Sequence, residues 1–263
     1  MEWTKLTSPE LKEKVEETGV CILAMGVVEK HGEHLPLGTD YLNAYKLAVK
    51  AAAREPSVVF PPFYFGQVYE ARCFPGAVTL EPELLYKVVQ GVIDEIGRNG
   101  FEKIIILNGH GGNTNFIKFL AQAQLWEEKD YSLYLPLNWQ FNSPEEREEI
   151  LDTEVYGHAG EYETSISLAN HEELVKKDKI PDEFYNPQKR MKDLPPTFTG
   201  IHWYSDYPEH YVGDAAQASR KKGEALLKII VNNLAEYIKA VKADKVVAGL
   251  EKEFFQRVDN ITE

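Results

Sequence analysis

Glu29-Lys30-His31-Gly32-Glu33-His34-Leu35-Pro36-Leu37-Gly38-Thr39-Asp40 is the stretch from which the fold is read. It follows an apolar run, Val20 to Val28, with the composition of a buried strand. It precedes an amphipathic run, Tyr41 to Arg54, with helical spacing. The stretch is therefore a loop joining a central strand to its first long helix. In open α/β sheets, ligands bind in the crevice beyond the carboxyl ends of the strands. Here two imidazoles and three carboxylates fall within 12 residues of that edge. Glu29 and His31 are two apart, so on extended backbone both side chains leave on one side. Asp40 stands just before the helix, where a carboxylate can cap free N–H groups. A capped helix beside a solvated loop would explain any one of these residues. The whole set directly after a buried strand points to a site.

The same alternation repeats outward. A short helix over Ser8 to Glu17, with Ser8 as its cap and Pro9 at its first position, precedes the strand. A second strand is expected at Ser57–Phe60, and Phe74 to Leu80 reads as a turn into an edge strand. Glu81 to Asn99 is helical and stops at Gly100. Lys103–Leu107 is a buried strand, Asn115 to Glu128 a helix, and Ser132–Pro136 another strand. Ser143 to Asp152 is a polar helix, and a further helix opens near His158 and runs to about Asn170. Pro181 to Gly213 is proline-rich, aromatic and aperiodic, as in a lid or interface loop. A long helix, Ala215 to Val241, and a charged segment end the sequence. Strand, loop and helix in alternation mean a mainly parallel sheet covered by helices. With no repeat or clear linker, residues 1–263 read as a single domain.

Charge narrows the partners. Against 29 Lys and Arg stand 42 Asp and Glu, a net −13. That balance disfavours nucleic acid and anionic membranes. Two cysteines, Cys21 and Cys73, make no disulfide framework, and no apolar run reaches a membrane span. The N-terminus lacks the pattern of a signal peptide. The expected location is cytoplasmic.

Two further groups carry chemistry. His110 sits in Asn108-Gly109-His110-Gly111-Gly112-Asn113, directly after a buried strand. The glycines permit a sharp turn and a close approach to a ligand. The spacing matches neither phosphate-binding glycine pattern and brings no lysine, so a metal ligand fits better than a phosphate cradle. His158 and Glu161 stand three apart at a helix start and are expected to share a face, with Glu163 pointing elsewhere. Glu29, His31, Asp40, His110 and Glu161 form a His/carboxylate set suited to Zn²⁺, Mn²⁺ or Fe²⁺ rather than Ca²⁺. Five ligands exceed one tetrahedral ion and suit two ions, about 3.5–4 Å apart, sharing a carboxylate.

These three motifs, with Gly213-Asp214-Ala215 before the long helix, resemble the creatininase (creatinine amidohydrolase) family over roughly residues 20–230. The resemblance implies a three-layer α/β/α sandwich, a dinuclear metal centre, hydrolysis of C–N bonds and a homohexamer. It implies Glu29 and His110 on one ion, His31 on the other and Asp40 bridging. Members that act on creatinine carry a glutamate ligand where this sequence has Gly112, so Glu161 is the expected replacement. The expected enzyme is an amidohydrolase that cleaves a non-peptide amide or formamide bond of a small molecule through a metal-bridging hydroxide. Zn is the foremost metal, with Mn or Fe as alternatives. His158 is the expected general acid, and Trp203, Tyr204 and Tyr207 are candidates for a substrate-binding lid. The rival readings are creatinine hydrolysis proper, a peptidase of the same family, and a non-catalytic ligand- or metal-binding protein.

Overall fold

The structure, a computed structural model, describes residues 1–138, 140–154 and 157–262. Four strands run β1 (Val20–Met25), β2 (Val58–Val59), β3 (Lys103–Asn108) and β4 (Ser132–Tyr134). All neighbours pair in parallel, in the order β2-β1-β3-β4. From β1 the chain crosses to one side of the sheet, and from β3 to the other. The β1/β3 boundary is thus a topological switch point. The β1–β3 register runs from Val20 opposite Lys103 to Met25 opposite Asn108. Both strands therefore end level, and the loops after Met25 and Asn108 open side by side.

The helices are α1 (Ser8–Thr18), α2 (Thr39–Ala52), α3 (Pro82–Arg98), α4 (Asn113–Ala123), α5 (Pro144–Glu148), α6 (Glu161–His171), α7 (His202–Asp206), α8 (Arg220–Ala243) and α9 (Val246–Asp259). Side chains alternate across a pleated strand, and both central strands are apolar on both faces. Val20, Ile22, Ala24, Ile105 and Leu107 pack with α2, α6 and α8. Cys21, Leu23, Met25, Ile104 and Ile106 pack with α3, Phe101 and α4. This is the α/β/α sandwich expected from the sequence. Close helix contact fixes α6: a Cβ on Gly223 of α8 would lie 1.9 Å from the Ser165 carbonyl oxygen.

Several details differ from the sequence reading. Thr7, not Ser8, caps α1, in a reciprocal box with Glu10. No strand forms over residues 74–80; Val78 only donates one bond to the Val28 carbonyl. The charged C-terminal segment folds as α9. Helix α2 starts at Thr39, so Asp40 lies inside its first turn and its carboxylate is free for other partners.

Candidate metal centre

The loop after β1 is folded by its own backbone. Glu29 N–H donates to the Leu37 carbonyl at 2.9 Å, and Gly26 N–H to Phe63 at 3.0 Å. Gly26 has no room for a side chain, since a Cβ would meet Tyr41 N at 2.3 Å. A Cβ on Gly109 would meet the Asp40 carbonyl at 2.8 Å. These two close approaches press the loops after β1 and β3 against the first turn of α2. Glu29, His31, Asp40 and His110 converge there and are all buried.

His31 Nε2 lies 2.9 Å from Asp40 Oδ1. His110 Nδ1 lies 2.9 Å from Glu29 Oε1 and 3.2 Å from Asp40 Oδ2. Yet those two oxygens are buried and have no hydrogen-bond partner. The contacts are at ion-pair distance. The far side of each ring is held separately. His31 Nδ1 faces the Glu29 carbonyl at 3.3 Å, His110 Nε2 faces the Gln67 carbonyl at 3.0 Å, and His158 Nε2 faces the Lys30 carbonyl at 2.8 Å. A carbonyl only accepts, so each of those outer nitrogens donates. The inward nitrogens of His31 and His110 face carboxylates, which also only accept, so each of the two carries a proton unless a cation takes its place and receives the lone pair. Backbone carbonyls orient metal-binding histidines in this way. Buried carboxylates and imidazole nitrogens converging out of water, balanced only by protons, fit a cation.

The electrostatics agree. Burial raises the Glu29 carboxyl pKa, but His110 and His158 outweigh it and hold the group well below the usual carboxylate range. Burial opposes charge on His31, yet Asp40 pushes its pKa up to about 10. Burial likewise opposes His110, and Glu29 drives it well above the ordinary imidazole value. His158 goes the other way, down to about 3, through burial and then the charge of His31. Without a cation, protons on His31 and His110 balance the carboxylates.

The glutamates of α6 correct the sequence reading. Glu161 is fully buried but turned away from the cluster. It accepts from Thr153 Oγ1 at 2.7 Å and from the backbone N–H groups of Asp152 and Thr153, and it pairs with Lys222. Glu163 is the carboxylate that reaches the site, with Oε2 3.8 Å from His31 Nε2 and accepting from Ala159 N–H at 2.7 Å. Its pKa rises to about 7 through burial, against the pull of His31 and with the push of Asp40. The three-residue spacing misled because His158 is not helical. Ala159 (φ 56°) and the extended Gly160 intervene before α6 begins. Gly112 is equally informative. A Cβ there would lie 2.4 Å from His110 Nε2 and 2.9 Å from the Gln67 carbonyl oxygen, so a side chain at that position would have to displace the His110 ring and its backbone partner.

Among the described residues, ligand atoms gather in three overlapping groups, each within 4.8 Å: Glu29, His31 and Asp40; His31, His158 and Glu163; and Glu29, His158 and His210. His210 was not singled out from sequence. It comes from the aperiodic segment, with Nε2 2.7 Å from Glu29 Oε2 and its ring 4.6 Å from that of His158. Its only sequence signal was a histidine before Tyr211-Val212-Gly213. Val212 pairs with His158 in a short antiparallel bridge, which brings it in. His34, by contrast, is structural and bonds Thr164 Oγ1 at 2.8 Å.

The cluster forms the floor of a cavity of about 670 Å³. Of the three aromatic residues expected as a lid, Trp203 lines it. Tyr207 packs against Trp203 at 4.5 Å, and Tyr204 lies against the Arg190 guanidinium at 5.1 Å. Neither of those two is among the lining residues.

A family profile described as creatinine amidohydrolase matches residues 4–238. Creatinine amidohydrolase of Pseudomonas putida is 27% identical over 257 residues, covering 89% of this chain and 95% of the relative. The mycofactocin precursor peptide peptidase of Mycolicibacterium smegmatis is 27% identical over 238 residues, covering 86% and 87%. A solved mutant creatininase described as Zn–Zn type superposes with a TM-score of 0.79 at 25% identity, covering 92% of this chain and 98% of that one.

Proposed function

This chain belongs to the creatininase family, and on that premise we propose that it is a divalent-metal-dependent amidohydrolase acting on a non-peptide amide or formamide bond of a small molecule. The observation that carries the reading is the convergence of buried carboxylate oxygens without a hydrogen-bond partner and inward-facing imidazole nitrogens on one cavity floor, at the β1/β3 switch point. We assign Glu29 and His110 to one ion, His31 and Glu163 to the second, and Asp40 to both, with zinc the leading metal. Two such ions supply a Lewis acid for the carbonyl and acidify a water.

The residues around them handle protons and position the substrate. His158 is held by the Lys30 carbonyl through Nε2 and is neutral at pH 7, which leaves Nδ1 able to accept a proton. It is therefore proposed to take a proton from the attacking water first and then donate it to the leaving nitrogen. His210 holds Glu29 in place, and Trp203 walls the cavity. Gly112 argues against creatinine as the preferred substrate, because the position that supplies a ligand in creatinine-hydrolysing members has no side chain here. A cytoplasmic setting belongs to the proposal. No described helix is long and apolar enough to cross a membrane. A homo-oligomer, hexameric by family resemblance, belongs to the proposal. The exposed row Val246, Leu250, Phe254 and Val258 on α9 supports some such contact. The test of the function is turnover of a formamide and amide panel by zinc-loaded enzyme, with Asp40→Ala as control. Saturating zinc with no turnover across the panel would leave a metal-binding protein.

A further inference from the structure

The wall of the cavity holds a carboxylate that the cluster does not use. Glu70 lines the cavity beside Gln67 and is half-buried. Its Oε2 accepts from Gln67 Nε2 at 3.0 Å. Gln67 is itself pinned to the floor, because its N–H donates to Asn113 Oδ1 at 2.8 Å and its carbonyl accepts from His110 Nε2. Glu70 is thus tied through two hydrogen bonds to a residue of the metal cluster, at a fixed place on the wall. It forms no salt bridge with any described residue. Among the described residues, none lining the cavity is Lys or Arg. Outside the cluster the other polar walls are the amides of Asn115 and Gln140, the hydroxyls of Tyr69, Tyr162 and Thr199, and the His202 imidazole. Phe116, Phe198 and Trp203 supply the apolar surface.

The size of the cavity matters as well. About 670 Å³ falls within the range of drug-sized ligand pockets, far above what a formyl group alone fills. Most of the space must take the part of the substrate remote from the bond that breaks. A carboxylate or phosphate on that part would meet no cation on the wall and would face Glu70. A donor group, above all a cationic one, would find its acceptor there.

Resting on the amidohydrolase reading, we propose that Glu70 is a specificity residue, selecting substrates whose amine portion is ring-sized and carries a hydrogen-bond donor, preferably a cation, and rejecting anionic ones. The carboxylate of Glu70 accepts from that donor while the scissile carbonyl lies over the cluster. The arrangement lowers KM for cationic substrates and leaves the chemical step to the cluster, because it acts on ground and transition state alike.

The test uses three matched probes with zinc-loaded enzyme: trans-4-formamidocyclohexylammonium, trans-4-formamidocyclohexanol and trans-4-formamidocyclohexanecarboxylate. For the unaltered protein, kcat/KM should fall in that order, with the cation ahead of the alcohol by about tenfold, carried by KM. Glu70→Gln should bring cation and alcohol to within about twofold, and Glu70→Lys should reverse their order, both with zinc content unchanged. An unaltered preference for the carboxylate, or a cation-to-alcohol ratio the same in Glu70→Gln, overturns the proposal. If no probe is cleaved and the formamide and amide panel also fails, it is the amidohydrolase reading that fails. Calorimetric binding of the same probes then still decides the role of Glu70, with the same order expected.

Discussion

The edge of the sheet and the segment over residues 181–213 meet at the same cavity but are built differently. At the edge, Glu29, His31, Asp40 and His110 stand on loops set by two level strand ends and by glycines pressed against α2. Carbonyls of Glu29 and Gln67 hold the outer nitrogens of the two histidines. The long segment is largely exposed. It reaches the site through isolated pairings, Val212 with His158 and Tyr185 with Gly213, and from there delivers His210 and Trp203. The difference suggests a division of labour: the sheet edge supplies the proposed ligands, and the segment supports them and shapes the space above. Preorganised groups on rigid elements suit the chemistry, while loops suit discrimination between substrates.

The comparison can be broken first at its rigid side. Asp40→Ala should remove the shared ligand, empty both positions and take hydrolysis to background, with zinc content and kcat read on one preparation. His158→Ala, next in size, should lose about 10²–10⁴ in kcat while keeping both ions. Loss of an ion in step with activity would make His158 a ligand. On the segment side, His210→Ala should cost about 10–100-fold in metal affinity or activity, as expected for a residue that orients a ligand. An effect as large as that of Asp40→Ala would erase the distinction between the two regions.

The smallest expected effect concerns stability. Burial, and then the charge of His31, lower the His34 pKa from 6.5 to about 4. A depressed folded-state value means the unfolded chain binds the proton more readily. The stabilisation is then fully present above pH 6.5 and is lost as pH falls through 4. In metal-free protein, His34→Gln should flatten the fall of melting temperature across that window. An unchanged slope would refute the assignment.

How much of this was legible beforehand follows the same boundary. Strand and helix periods marked a mainly parallel sheet covered by helices, the family resemblance supplied the three-layer sandwich, and the two strand-end loops carried Glu29, His31, Asp40 and His110 in short, dense motifs. Spacing failed where the backbone left regular geometry. Across Ala159 and Gly160 the turn exchanges the expected facing of Glu161 and Glu163: Glu163 faces the cluster and Glu161 turns away. Glu161 answers instead to Lys222, 61 residues away, a pairing that no local pattern encodes. His210 was missed for the same reason, since its partner Glu29 lies 181 residues away. Short-range periodicity reports which face a side chain takes within one element, and says nothing of an aperiodic segment folding back.

The central claim is that the cluster at the sheet edge binds two divalent ions, with Glu163 as the ligand from α6. Zinc content at saturation, by elemental analysis of the unaltered protein, Glu163→Gln and Glu161→Gln, tests it most directly. The account predicts two ions per chain, then one held firmly with the second weakened about 10–100-fold or more, then two again with a lowered melting temperature, because Lys222 loses its buried partner. One ion in the unaltered protein, or loss of an ion in Glu161→Gln while Glu163→Gln keeps both, would contradict it.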